Sequence, residues 1–469
     1  MNKKKIINYI IIGLSIISFI VLLLLINKIG VIPNKYLKIY CIVEIIFILL
    51  SIGFSFYKKK LFYVLSLVFS IILIFLNSFG YYYVKHLDKF IDKGFTGDIV
   101  DTTVYYLVTS SSNGINNVNE ITLDIPIYYY AYSRHNEEMF KVFGNYDYKG
   151  VEDINTYLID NINSNSYLLV DDINYSLSFE LNPELDESNY KIIYKFDVVT
   201  SEQRTTEVKE VFNVLITGKD FSDERNDLNM LVTINTLTHK ILITSIPRDF
   251  YIPVSGSDKK DTLMVMGYYG DDVVAKSVGD FFGITVDYRI NLYARNLVDI
   301  VDKVGGIEFC SSQSFYTNHA LVVDTYNDRL GKKFYVKKGC QQLNGIQTLT
   351  VARERVAFKG EGDLKRQDNC RQIMLKIANK VLSMSTLANY TSVLDSFSNL
   401  YSTNINRNTA VNFIKSILNN RYTTLEQSVK GSSSNARLRM NTLYGYVMIP
   451  NSSTVDAASN KMKEIINEK

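Results

Sequence analysis

The chain has 469 residues, too many for one small domain, and its formal net charge of +3 comes without a dense basic tract. That weak balance argues against a nucleic-acid partner. Its four cysteines (Cys41, Cys310, Cys340, Cys370) contain no C-x-x-C, which speaks against structural zinc or a thioredoxin-type pair. The histidines His86, His135, His239 and His319 stand singly, as packing or surface residues do.

A mean hydropathy of +0.01 conceals two regimes. Three apolar stretches open the chain, about Ile6 to Ile26, Leu37 to Tyr57 and Leu61 to Tyr83. Each has ~20 residues, enough to cross a hydrocarbon core of ~30 Å at ~1.5 Å per residue. The first follows Lys3 to Lys5 but is long for a signal peptide, lacks a small-residue cleavage site and precedes two more spans, so it reads as an anchor. Placing Lys3 to Lys5 and Lys58 to Lys60 in the cytoplasm puts everything after the third span outside. Glu44, inside the second span, is either functional or a carboxylate protonated or paired between helices.

Residues 1–84 thus form a membrane unit, and 97–205 a small accessory domain. Its alternating runs, such as "YKIIYKFDVVT", predict a β-rich or α+β fold, with Thr109 to Asn117 as a loop. A boundary falls in the charged stretch Thr200 to Glu210. From 211 to 469 the runs "VFNVLIT", "NMLVTIN" and "KILITSI" read as strands buried on both faces. Helical patterns follow, with Val274, Val278 and Phe281 on one face of the first. Strands alternating with helices predict a layered α/β/α domain with a mixed central sheet.

Polar residues gather at the ends of these strands: Asp220, Arg225 and Asp227 after the first, Arg248 and Asp249 after the third. Arg353 and Arg355 come later, then Asp363, Arg366 and Arg371. Open α/β sheets hold ligands at strand ends. Two carboxylates bracketing a turn suit a hard cation, magnesium first, and arginines suit phosphate oxygens. Each group alone is also compatible with a solvated loop. No Walker loop or G-x-G-x-x-G follows a strand.

The ordered motifs "GKD", "RND", "SIPRDFYIPV", "DYRINLYARNLVDIVDKVGGIEF", "LNGIQTLTVARER" and "GDLKR" resemble the LytR-CpsA-Psr family over a little more than half the chain. The three spans and intervening domain resemble its capsule-associated branch. The resemblance implies an extracytoplasmic phosphotransferase that moves a glycopolymer, capsular polysaccharide or teichoic-acid-like, from an undecaprenyl-pyrophosphate carrier to a peptidoglycan hydroxyl. It implies that Asp220 and Asp227 bind Mg2+ or Mn2+. Arg225, Arg248, Arg353, Arg355 and Arg366 would contact the pyrophosphate. Asp227 and Asp249 are the candidates to take the acceptor proton, with nothing in the sequence assigning the base. The helices around Val273 to Phe282 and Asn296 to Val304 would enclose the lipid tail, or serve as ordinary core.

Two departures stand out: Asn226 where many members have Ser, and "NCRQ" with Cys370 and Arg371 where members have Gln pairs. A lipid pyrophosphatase would need the same residues with water as acceptor, and a non-enzymatic membrane regulator is a further alternative. Cys310 and Cys340 come within bonding reach if their segments pair as strands, and otherwise stay separate thiols. Arg366 lies on the inward stripe of Ile373, Ile377 and Val381, near a helix start capped by Asp363, so it is expected to face the cleft.

Overall fold

A computed structural model of the chain describes residues 3–469 except 58, 123, 162–163, 183, 221–223, 294–295, 318–332, 359–361, 383–400 and 439–442. Lys58 and His319, and the side chains of Asp363 and Val381, lie outside the described residues.

Three helices long and apolar enough to cross a membrane come first: α1 (Lys3–Ile29), α2 (Asn34–Phe56) and α3 (Lys60–Phe95). Glu44 is buried and accepts a hydrogen bond from Asn77 Nδ2 at 3.3 Å, so of its two readings the structure favours pairing between helices. Tyr40 donates to the same Asn77 at 2.8 Å. The 36 residues of α3 span ~54 Å at ~1.5 Å per residue, well over a ~30 Å core. Its C-terminal end continues past Tyr83, where the apolar pattern stops, because the charged residues Lys85, Lys89, Asp92 and Lys93 can stand in water.

The accessory domain contains β1 (Ile99–Ser110), β2 (Ile127–Tyr130), α4 (Asn136–Phe143) and β3 (Tyr148–Val151). It continues with α5 (Ile154–Asp160), β4 (Tyr167–Asp171), α6 (Asp172–Leu181) and β5 (Tyr190–Glu202). The sheet order β3-β2-β4-β1-β5, with three helices, makes it α+β. Strand alternation sends Tyr167 and Leu169 of β4 into one core and Leu168 and Val170 into another. β1 reaches Ser110, so the loop expected from Thr109 begins two residues later than the composition suggests.

The third unit begins with β6 (Val211–Lys219), β7 (Asn226–Asn235), β8 (Lys240–Ile246), β9 (Tyr251–Pro253) and β10 (Lys260–Thr262). Next come α7 (Leu263–Met266), α8 (Asp271–Phe282), β11 (Tyr288–Tyr293) and α9 (Leu297–Lys303). A flank of β12 (Ile307–Ser311), β13 (Phe315–Tyr316), β14 (Tyr335–Val336) and β15 (Gly339–Leu343) precedes α10 (Gly345–Arg353) and α11 (Gly362–Leu382). The chain ends with β16 (Tyr401–Thr403), α12 (Arg407–Asn419), β17 (Thr423–Ser428), β18 (Gly431–Leu438), β19 (Leu443–Pro450) and α13 (Ser452–Asn467).

Its central sheet has the order β16-β11-β6-β7-β8-β17 and mixes directions: β6, β7 and β8 run antiparallel, whereas β11 and β17 lie parallel to their neighbours β6 and β8. Leu215, Leu231 and Leu242 pack on one face against Val274, Val278 and Phe282 of α8 and Val455 and Met462 of α13. Val214, Val232 and Ile243 pack on the other against Met374 of α11 and Phe413 of α12. This is the layered α/β/α arrangement with a mixed sheet. The inward face of α8 ends on Phe282 rather than Phe281, and it is filled by core contacts, as the ordinary reading of that helix has it.

Candidate active site

The site begins where β6 gives way to β7. The β6–β7 register shifts between Gly218 and Lys219, an irregularity that re-aims the last side chain of the strand. Lys219 is consequently buried, with its Nζ 2.6 Å from Asp271 Oδ1 at the start of α8. A burial penalty raises the Asp271 carboxyl, but the charges of Lys219, Arg134 and Arg289 outweigh it and hold the group below the usual carboxylate range.

Asp220 is buried and closes the turn twice over. Its N–H donates to the Arg225 carbonyl at 2.9 Å, and its carboxylate accepts from Arg225 Nε at 2.7 Å. Asn226 is fully buried, and its Nδ2 donates to the Leu263 carbonyl at 3.2 Å. The longer amide therefore has a structural use at this departure from the family pattern.

Asp227 opens onto two further arginines. Its carboxylate accepts a short hydrogen bond from Arg248 Nη1, and its main-chain carbonyl accepts one from Arg366 Nη2 at 3.0 Å. Burial pushes the Asp227 carboxyl up, but Arg366, Arg248 and Arg225 together bring it below the usual range. Asp249 is also buried, its carboxylate 3.7 Å from Arg248 Nε. Arg366 is only 4% exposed, facing inward with Ile373 and Ile377 as the helical spacing predicts. Three guanidinium groups thus surround two carboxylates at one end of the sheet, an arrangement suited to an anion or to a cation-bound anion.

A model of the LytR_cpsA_psr family matches residues 177–464. The chain belongs to the LytR-CpsA-Psr family. The "Polyisoprenyl-teichoic acid--peptidoglycan teichoic acid transferase TagU" of Enterococcus faecalis is 28% identical over 204 residues, 42% of this chain and 62% of that protein. The Bacillus mycoides protein of the same name is 27% identical over 266 residues, 56% of this chain and 83% of that one. The match thus spans less than two thirds of the Enterococcus relative's own length. A crystal structure of B. subtilis TagU aligns at 25% identity and a TM-score of 0.42, covering 56% of this chain and 99% of that chain.

Within this LytR-CpsA-Psr domain the remaining motif residues are placed less uniformly. Arg353 ends α10 half-buried, and Arg355 follows it exposed. Asn344 caps α10 in a reciprocal box with Gln347, which gives "LNGIQ" a structural reason. At Gly362 a Cβ would stand 2.6 Å from the Arg355 carbonyl oxygen, so glycine lets that backbone approach the start of α11. The second departure also resolves: Arg371 turns to Glu426 of β17, and Gln372 brackets Cys310, donating from Nε2 to its carbonyl at 2.9 Å. Cys310 and Cys340 lie opposite each other on β12 and β15 and form a disulfide.

The two aspartates are hard oxygen donors at the ends of one turn, the donor type a divalent cation takes, and in this structure each is paired with an arginine. Among the described residues, Glu308, Cys310 and Cys340 form the grouping with metal-ligand spacing, but its sulfurs are joined to each other. Lys219, Glu224 and Asp271 belong to the site although the motif pattern assigns them no role. Lys219 stands inside "GKD", which was its available signal.

Proposed function

We propose that this protein is a membrane-anchored phosphotransferase that moves a glycopolymer from an undecaprenyl-pyrophosphate carrier to a peptidoglycan hydroxyl, with its catalytic domain outside the cell. The observation that carries this reading is the gathering of Arg225, Arg248 and Arg366 on Asp220 and Asp227 in a domain tethered to three membrane-length helices. The names of the relatives supply the class of polymer and acceptor. A disulfide on the flank fits an oxidising compartment, in agreement with the lysine-based orientation.

In this reading the arginines exchange part of their carboxylate contacts for pyrophosphate oxygens, and guanidinium geometry favours two-point contact with each phosphate. Asp220 and Asp227 would hold Mg2+ or Mn2+, which when bound neutralises phosphate charge. The acceptor oxygen forms a bond to the phosphorus that carries the glycan, and the bond from that phosphorus to the lipid phosphate oxygen breaks. Undecaprenyl phosphate leaves with the bonding electron pair, and the hydroxyl proton passes to a nearby carboxylate, Asp227 or Asp249, or to water. The half-buried Arg248 and the buried Arg366 stabilise charge that accumulates on the leaving phosphate. The membrane helices keep the domain beside a substrate that never leaves the bilayer.

The test is product analysis with purified full-length protein in bilayers, lipid-pyrophosphate-linked glycan and peptidoglycan. The expected products are undecaprenyl phosphate and glycan joined to peptidoglycan by a phosphodiester. Free glycan phosphate as the main product despite available peptidoglycan would identify a hydrolase instead. Intact donor under all metal conditions would leave only a regulatory role.

A further inference from the structure

The accessory domain reaches the candidate active site through Arg134, which lies between β2 and α4. The Tyr105 hydroxyl of β1 donates to the Arg134 carbonyl, and the next residue, His135, adopts a left-handed conformation with φ 59° at the start of α4. The side chain then leaves its own domain. Its Nε donates to the Tyr268 carbonyl at 2.9 Å, and its Nη2 donates to both the Gly267 carbonyl and the Glu224 carboxylate. The Arg134 side chain is 14% exposed and that of Glu224 20%, so water competes weakly for this pair.

Gly267 and Glu224 are themselves in close contact. A Cβ on Gly267 would stand 2.0 Å from the Glu224 carbonyl oxygen and 3.3 Å from the Asn226 nitrogen. Arg134 therefore spans a seam at which the backbone leading into Arg225, Asn226 and Asp227 rests on the segment before α8. Lys219 and Asp271 brace the opposite end of the same turn at 2.6 Å. Arg134 stands in the fields of Glu224, Asp271, Asp101 and Asp171, drawn from both domains. An ordinary domain contact would not need a charged fork on the residue that immediately precedes the substrate arginine.

We propose that Arg134 is a positioning residue: by bridging Glu224 to the Gly267 and Tyr268 carbonyls, the accessory domain holds Arg225 and Asp227 in the geometry that receives the pyrophosphate. The functional consequence rests on the phosphotransfer reading, but the ordering of the turn can be measured apart from it. Arg134→Gln removes the charge and the fork at modest change in volume, and Arg134→Lys keeps only the charge.

The experiment is hydrogen–deuterium exchange on the full chain in bilayers, read on peptides carrying Glu224 to Asp227, together with binding of undecaprenyl pyrophosphate. In Arg134→Gln these amides are expected to exchange about tenfold faster, with β1, β4 and β6 to β8 unchanged. Lipid-pyrophosphate affinity is expected to fall with them, and Arg134→Lys to recover part of both. Glu224→Gln should have the same effect, and the double variant should add little, because one shared contact has been lost. Unchanged exchange at Glu224 to Asp227, or loosening of the whole accessory domain without a local excess, would overturn the proposal. Local loosening in a protein whose wild type binds no undecaprenyl pyrophosphate would uphold the positioning and refute the phosphotransfer reading.

Discussion

Arg366 donates to the main-chain carbonyl of Asp227 at 3.0 Å, while its other terminal nitrogen stands 3.9 Å from that residue's carboxylate. The arginine thus fixes the backbone of Asp227 and places a guanidinium beside its carboxylate. Arg366→Ala is expected to weaken lipid-pyrophosphate binding by ~10- to 100-fold, the equivalent of one charge-assisted bond of ~1.5–3 kcal/mol. Arg366→Lys should retain part of the affinity, since it keeps the charge but not the planar fork. Titration of each variant with undecaprenyl pyrophosphate measures this, and wild-type affinity in Arg366→Ala would remove the residue from the head-group site.

Asp227 also predicts a pH response. Its carboxyl lies below the usual carboxylate range in the folded protein, so the folded state binds its proton less readily than the unfolded chain. The stability contributed by its arginine contacts is fully present above the unfolded value of ~3.9. It is lost as pH falls through the lower, folded value. Denaturant midpoints of wild type and Asp227→Asn should therefore differ by a constant amount from neutral pH to about pH 4 and converge below it. A difference that disappears well above pH 4 would contradict the depressed value.

Much of this was legible in the sequence, for physical reasons. The strand runs around Leu215, Leu231 and Leu242 are apolar on both faces because helices cover both, and that leaves a clear pattern. Arg366 could be placed from its seven-residue spacing to Ile373 together with the helix start at Gly362 and the family resemblance. The convergence of Lys219, Asp271, Glu224 and Arg134 could not, because it joins residues far apart in the chain with no shared periodicity. Nor could the length of α3 be read, since hydropathy reports where lipid ends and not where a helix does. Asp88, beyond the end of the third apolar stretch, is buried against Lys28 and Arg407.

The disulfide gives a prediction of its own. Cys310 and Cys340 close a loop with a sequence separation of 30, and β12 and β15 hold them in register. Loops of this size restrict the unfolded chain enough to stabilise the fold by ~3 kcal/mol. Replacing both cysteines with serine should lower the denaturation midpoint accordingly, and reducing agent should do the same to wild type but not to the variant. Equal sensitivity of both proteins to reductant would show that the bond does not form in solution.

The LytR-CpsA-Psr domain is held against the membrane helices by an apolar seam flanked by ion pairs. Beyond its span, α3 packs Ile91 against Ile29, Val31 and Val411 of α12. Beside this apolar seam, Arg407 donates to Asp88 at 2.9 Å and to Asp92 at 2.6 Å, and Lys28 reaches Asp88 from α1 at 2.9 Å. The Asp88 carboxylate is largely buried, so removing Arg407 leaves it with a single, mostly exposed lysine. A partly buried pair of this kind contributes more than an exposed one, on the order of 1–3 kcal/mol. The apolar contacts survive the change, so Arg407→Ala should loosen the joint without separating the domains. Hydrogen exchange in the C-terminal segment of α3, Tyr83 to Phe95, should rise while the span itself stays protected. Transfer from a long-chain donor embedded in a bilayer should fall, because the site's height and tilt are no longer fixed. Transfer from a short-chain, water-soluble donor should be unchanged. An equal loss with both donors would assign the effect of Arg407 to folding of the catalytic domain and refute a docking role.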